Sequence, residues 1–228
     1  MGYIGNCFFW VEFELNYKIE KRKFVTLKTN IFKFPHIYYL WKFNLHDIIK
    51  EMEKSVYVVL SQTGTMFSRA LKFFTHAEYN HASISLTPTL EKMYSFGRLN
   101  PYNPFIGGFV EEGKNTGTFK RFYKTKAMVI EFKINEEKYK AIQYFIDYFK
   151  NHKCEFHYNY LGILFACFKK YHKSSKRFYC SEFVKTCLKT FEIENAEELP
   201  QIIKPIDFLM LNNKNIIYTG FLKNYSGV

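Results

Sequence analysis

Short apolar runs, separated by turn-forming residues, divide the chain from Met52 onward into predicted strands and helices. A continuous run of β-branched and aliphatic residues indicates a buried strand, whereas alternation of apolar and polar residues indicates a half-buried one. The predicted strands are VYVVL (56–60), HASISL (81–86), KMYSF (92–96), AMVIEFKI (127–134) and NIIYTGFL (215–222). Thr87-Pro88-Thr89 breaks the second run, so KMYSF is predicted to be its antiparallel return.

Apolar residues at helical spacing predict the helices. Asn135 is a suitable N-cap, and the aromatic and aliphatic residues after it recur on one face, which is typical of a core-facing helix rather than a ligand cage. Further helices are predicted over MFSRALKFF (66–74), YLGILFACF (160–168) and CSEFVKTCLKTF (180–191). The segment 97–117 is rich in Gly, Asn and Pro and is predicted to be a loop throughout.

Residues 1–51 differ from the rest. They contain aromatic, Lys-rich pieces with strand-like alternation, broken by Asn30 and Pro35, and they carry no catalytic motif. We interpret them as an N-terminal appendage to a domain that spans 52–228. They are either an added β-hairpin layer or sequence upstream of a more natural start at Met52.

Charge and composition narrow the classes of partner. The 228 residues carry 33 Lys and Arg against 21 Asp and Glu, a net charge of +12, which is compatible with an anionic substrate or peripheral contact with an anionic membrane. Only five of the cations are Arg, in a chain crowded with Lys, Asn, Ile, Phe and Tyr, as AT-rich genomes produce. Because nucleic-acid readers depend on the planar guanidinium group, nucleic-acid binding is disfavoured.

The cysteines and the start of the chain bear on the compartment. Five cysteines without regular spacing favour a reducing environment. The first residues lack the basic region of a signal peptide, and no apolar stretch reaches about 18 residues, the length that spans a bilayer. We therefore expect a cytoplasmic protein, with peripheral attachment to a membrane as the alternative, and no cofactor is implied.

Cys180 is the candidate nucleophile. It stands where a basic loop turns into a helix, so its sulfur lies near the positive end of the helix dipole, and Lys173, Lys176 and Arg177 add to the same field. Such a thiol ionises easily, and the thiolate is the form that attacks carbonyl carbon. The alternative is a buried structural cysteine, which is the reading that we give to Cys187.

His81 is the best candidate for the partner base, because it opens a predicted strand that can hold one ring orientation. His76 lies in a polar bend and is interpreted as a solvated loop residue. The remaining histidines of the domain, His152, His157 and His172, flank polar connections. The first two form, with Cys154, only a Cys-x-x-His pattern, which supplies too few ligands for zinc, so no metal site is predicted.

The segments YNHASISL and, far downstream, FYCSEFVKTCL resemble the circularly permuted NlpC/P60 papain-like proteins. This group contains bacterial YiiX-type proteins and, more distantly, lecithin:retinol acyltransferase. The resemblance covers roughly 52–225 and includes VYVVL before a Gly-containing turn, the Asn-Tyr-Leu-Gly helix start and a Pro-x-Asp-Phe approach to the last strand. Its most specific feature is the order, in which the His strand precedes the Cys helix. It implies an α+β fold, with an antiparallel sheet of about five or six strands and the nucleophile helix packed on one face.

The resemblance assigns roles residue by residue. Cys180 becomes the nucleophile and His81 the general base and acid. The family's third member is a polar residue on the strand after the His strand; here Ser95 is at the best register and Tyr94 is its alternative, because Glu91 lies close to the turn. The backbone N–H of Cys180 would stabilise the oxyanion, with Gln62 either a second donor or an ordinary turn residue.

The expected activity is thiol-dependent hydrolysis or acyl transfer on an amide or ester, with a peptide-like or lipid substrate. The first alternative is a weak or inactive member of the same fold that binds a lipid or a partner protein, which the missing carboxylate on the strand after His81 favours. The second is a basic, nucleic-acid-associated protein that shares the pattern.

Overall fold

The structure is a computed structural model that describes residues 53–63, 78–172 and 174–227. Lys54–Val228 forms one compact unit. The appendage predicted over 1–51 and the helix predicted over 66–74 lie outside the described residues. Both therefore stay predictions.

The described residues form one eight-stranded sheet. Its strands are β1 (Glu53–Gln62), β2 (His81–Ser85), β3 (Met93–Asn100), β4 (Asn103–Glu112), β5 (Lys126–Asn135), β6 (His157–Tyr158), β7 (Arg177–Phe178) and β8 (Asn215–Phe221). Their spatial order is β7-β6-β4-β3-β2-β1-β5-β8. Neighbours pair antiparallel in β1–β2, β2–β3, β3–β4, β4–β6 and β5–β8, and β6 pairs with β7 in parallel. The α+β class with a mostly antiparallel sheet is thus confirmed.

The predicted loop over 97–117 is wrong, because most of it is a long hairpin made by β3 and β4. Asparagine side chains accept backbone N–H bonds at its tip, from Tyr102 to Asn100 at 2.8 Å and from Phe105 to Asn103 at 2.9 Å. The glycines serve close packing rather than turning: a Cβ at Gly107 would lie 2.8 Å from Cβ of Tyr158. The sheet also exceeds the expected five or six strands, since β6 and β7 have two residues each and leave no sequence pattern.

The helices are α1 (Gly117–Arg121), α2 (Glu136–Asn151), α3 (Tyr160–Cys167) and α4 (Cys180–Thr190). The predicted cap of α2 is confirmed: Asn135 Oδ1 accepts the N–H of Lys138 at 2.8 Å. The start of α4 at Cys180 is confirmed as well. No helix among the described residues is long and apolar enough to cross a membrane.

Both faces of the central strands are buried. On one face, Phe96 and Phe109 of the hairpin meet Phe149 of α2 and Phe183 of α4, with ring centroids 5.2 to 6.0 Å apart. This aromatic layer holds α4 against β2 and β3. A second cluster contains alternate residues of the same strands, together with residues from β5 and the C-terminal end: Tyr57, Val59, Leu90, Met93, Phe119, Ala127, Val129, Leu222 and Tyr225.

Candidate active site

Cys180 is the first residue of α4 and is 4% exposed. Its Sγ atom lies 3.9 Å from the carbonyl oxygen of Asn80 and 3.8 Å from Oγ of Ser181, and the imidazole of His81 is near enough to act on the pKa of the thiol. Burial alone would raise the pKa of the thiol. The hydrogen bond and charge of His81, with the N–H of Ala82, outweigh burial and leave the pKa of Cys180 below its usual value.

The start of α4 is fixed by its neighbours. The backbone N–H of Tyr179 donates to Oε2 of Glu182 at 3.5 Å, which is half of a capping box. The phenolic oxygen of Tyr179 accepts the N–H of Ile203 at 3.3 Å. Because the first N–H groups of a helix have no intrahelical acceptor, the end that carries Cys180 suits a developing negative charge.

His81 is the first residue of β2, where it pairs with Ser61 of β1. Its Nε2 atom lies 2.9 Å from Oε2 of Glu112, and the Ser83 hydroxyl donates to the same carboxylate oxygen at 2.8 Å. Burial would lower the pKa of His81, but the charge of Glu112 and the hydrogen bonds to Cys180 and Glu112 raise it to about 10. Since Nε2 is engaged by Glu112, the other ring nitrogen is left for the thiol.

Glu112 is therefore the third residue beside the ring, and the assignment of Ser95, with Tyr94 as alternative, is corrected. The pairing of Ile84 with Tyr94 puts Ser95 opposite Ser83, two positions from His81. The Ser95 hydroxyl donates to the carbonyl of Ala82 at 2.6 Å. Tyr94 stacks on Phe109, at a centroid distance of 6.3 Å.

The register explains how a residue of β4 reaches a histidine of β2. The same pairing brings Gly97 of β3 opposite His81, and a Cβ there would lie 3.5 Å from Cε1 of His81 and 3.4 Å from Oε1 of Glu112. Because Gly97 has no side chain, the side chain of Glu112 can extend from β4 over β3 to His81 on β2. Sequence reasoning missed Glu112 because it fell in the segment predicted to be a loop.

Tyr158 of β6 is a further residue that the sequence did not indicate. Its phenol is buried, and burial together with the nearby charges of Cys180 and Glu112 raises its pKa well above the usual value. The hydroxyl therefore keeps its proton. Gln62 is the residue after Ser61, at the end of β1. The described residues show no bond between its amide and Cys180, so its role as oxyanion donor stays a prediction.

Cys187, Cys154 and His152, which the sequence analysis considered, have no role in the candidate site. Cys187 is fully buried, and burial raises the pKa of its thiol, as expected of a structural cysteine. Cys154 is exposed, and His152 bonds the carbonyl of Tyr148 at 2.9 Å. In the described ranges, no group of three or more His, Cys, Asp or Glu side chains could hold a metal ion.

A cavity of about 550 Å³ lies beside the carboxylate. Its walls include Glu112, Arg98 and Leu99, with Phe109, Phe156 and His157. Burial lowers the pKa of the Arg98 guanidinium, and the neighbouring Tyr158 and Tyr160 oppose that effect. Residues of the hairpin and Glu112 thus border the same cavity.

Comparison of the chain with protein-family models, curated proteins and solved structures found no match. Any assignment of family or activity therefore depends on the motifs and on the geometry described above.

Proposed function

We propose that the protein is a cysteine-dependent hydrolase or acyltransferase with a permuted papain-like fold of the NlpC/P60 type. One observation carries the proposal: His81 lowers the pKa of the Cys180 thiol at a helix N-terminus, and the Nε2 atom of the same imidazole lies 2.9 Å from the half-buried carboxylate of Glu112. Nucleophile, base and orienting group are the parts that thiol catalysis requires. The order of the His81 strand before the Cys180 helix agrees with the permuted arrangement, and Glu112 lies one strand later than the third residue that the resemblance implies.

The chemistry follows from the charges. The Cys180 thiolate attacks the carbonyl carbon of an amide or ester, and the carbonyl oxygen becomes an oxyanion. The tetrahedral intermediate collapses, His81 gives its proton to the leaving amine or alcohol, and a thioester to Cys180 remains. A water, amine or alcohol then loses a proton to His81 and attacks the thioester, and the C–S bond breaks. The acyl group leaves on the acceptor, and the Cys180 thiolate and the His81 imidazolium are restored.

Glu112 holds the ring in place and stabilises the imidazolium. A carboxylate does this better than the hydroxyl group expected from the sequence, because it offsets the positive charge. The inactive, purely binding alternative was favoured by the absence of a carboxylate. Glu112 removes that reason, and catalysis is the function that we propose.

The oxyanion is assigned to the backbone N–H groups at the start of α4 and to a side-chain donor. Tyr158 fits this role because its phenol stays neutral and the charge of Cys180 is near enough to raise its pKa. Gln62 is the competing donor.

Acyl trapping tests the proposal. Intact-mass measurement after incubation with p-nitrophenyl butyrate should show one butyryl group per chain, and peptide mapping should locate it on Cys180. Cys180→Ser should abolish the adduct, and Cys154→Ser, at an exposed thiol, should leave it unchanged. An adduct only on Cys154, or acylation of Cys180 no faster than that of N-acetylcysteine, contradicts the proposal.

A further inference from the structure

The tip of the β3–β4 hairpin exposes large apolar side chains. Tyr102 is 77% exposed and Phe105 84%, and Leu99 and Ile106 are more than half exposed. Arg121 covers one of them, with its guanidinium 4.2 Å from the centre of the Tyr102 ring. From Phe96 to Val110 the chain contains no acidic residue. The tip is therefore both apolar and cationic.

Helix α3 and the residues after it have the same character. Leu161, Leu164 and Phe168 are exposed, the last at 69%, and Lys169 and Lys170 follow at once. The chain has no Asp or Glu from His157 to Ser181. Exposed apolar side chains of this kind normally have a partner, and cations without intervening acids set its charge.

The two segments flank the same point of the sheet. Gly108 in the middle of β4 pairs with His157 of β6. A Cβ at Gly107 would lie 2.9 Å from the hydroxyl of Tyr160, the first residue of α3. Both segments are connected to the candidate active site. Leu99 of the hairpin and Glu112 line the same cavity, and the basic residues after α3 are followed by β7 and then by Cys180.

We propose that these segments form a docking surface for an anionic lipid bilayer. The docking surface consists of the hairpin tip (99–106) and of α3 with its basic tail (160–172 and 174–177). Aromatic and aliphatic side chains would enter the headgroup region, and the adjacent Lys and Arg side chains would pair with anionic headgroups. Neither segment has an acidic residue of its own, although Glu155 pairs with Lys176 at 3.0 Å, and this excess of cations favours anionic lipid over a protein surface of mixed charge.

Vesicle co-sedimentation tests the docking surface. The full chain carrying Cys180→Ala is used, so that the result does not depend on the proposed catalysis. It should bind vesicles of phosphatidylcholine with about a third phosphatidylglycerol, bind pure phosphatidylcholine at least tenfold more weakly, and dissociate as salt rises.

Paired substitutions locate the contact. Phe105→Ser with Ile106→Ser in the hairpin, and Leu164→Ser with Phe168→Ser in and after α3, should each weaken binding about tenfold or more, because each pair removes two apolar side chains from the contact. Met210→Ser is the matched control, since Met210 is 56% exposed outside the docking surface. Unchanged melting temperatures establish that the variants are folded.

Three outcomes overturn the proposal. The first is no binding to the anionic vesicles at low salt. The second is equal binding by wild type and both paired variants. The third is a dimer without lipid that the paired variants dissociate, since the surface would then be covered by a second copy of the chain.

Discussion

Nε2 of His81 lies 2.9 Å from Oε2 of Glu112, across 31 residues of sequence and one intervening strand. The strand between them offers Gly97 at the crossing point, so that nothing separates the ring from the carboxylate. The Cys180 thiol also acts on this ring and, with Glu112, raises its pKa. This relationship makes Glu112 the orienting group of the proposed site.

Glu112→Gln should lower kcat by about 10- to 100-fold, the range typical of losing a group that orients a histidine. The charge of Glu112 raises the pKa of His81, so its removal should move the alkaline limb of the pH–rate profile from about 10 to lower pH. Glu111→Gln is the matched control, because Glu111 pairs with Lys150 at 2.9 Å. An unchanged alkaline limb in Glu112→Gln would exclude this role.

Ser95→Ala should affect stability rather than chemistry. The buried hydroxyl bonds the Ala82 carbonyl, so chemical denaturation should show a loss of about 1 kcal/mol in the free energy of unfolding. Turnover at saturating substrate should stay within about twofold of wild type, and Tyr94→Phe should also be near silent. A 10- to 100-fold loss of kcat in either variant would return the orienting role to β3.

Substitutions of increasing size at Gly97 test whether the side chain of Glu112 needs the space above β3. Gly97→Ala places a Cβ at ordinary contact distance, 3.4 to 3.5 Å, from Glu112 and His81 and should retain most activity. Gly97→Val adds two methyl groups in the same space and should reduce kcat by about tenfold or more, since displacement of catalytic groups by about 1 Å is costly. Equal activity of the two variants would show that the carboxylate does not need this space.

Tyr158→Phe removes the phenolic donor near the thiol and keeps the ring. Loss of an oxyanion donor typically costs about a hundredfold or more in kcat. Gln62→Ala should remain within about twofold of wild type. The reverse pattern in steady-state kinetics would assign the oxyanion to Gln62.

The sequence predicted the parts of the site that are local. Cys180 at a helix start and His81 at a strand start follow from short patterns around each residue, and the cap and apolar face of α2 do as well. Glu112 could not be found in this way, because its segment is rich in Gly, Asn and Pro and resembles a loop. Those glycines are needed where Tyr158 and His81 approach the backbone, a tertiary requirement without a local signal. The apolar stretch FIGGFV before the two glutamates was the available indication of a strand.

The rate of Cys180 alkylation by iodoacetamide, followed residue by residue against pH, tests the central claim most directly. N-acetylcysteine serves as the reference thiol. Because His81 lowers the pKa of Cys180, its alkylation should reach half of its maximum at lower pH than that of N-acetylcysteine. In His81→Ala burial should dominate, and the midpoint for Cys180 should rise above that of the reference. A midpoint for Cys180 at or above that of N-acetylcysteine in the wild type, unchanged in His81→Ala, would contradict an activated Cys180–His81 pair.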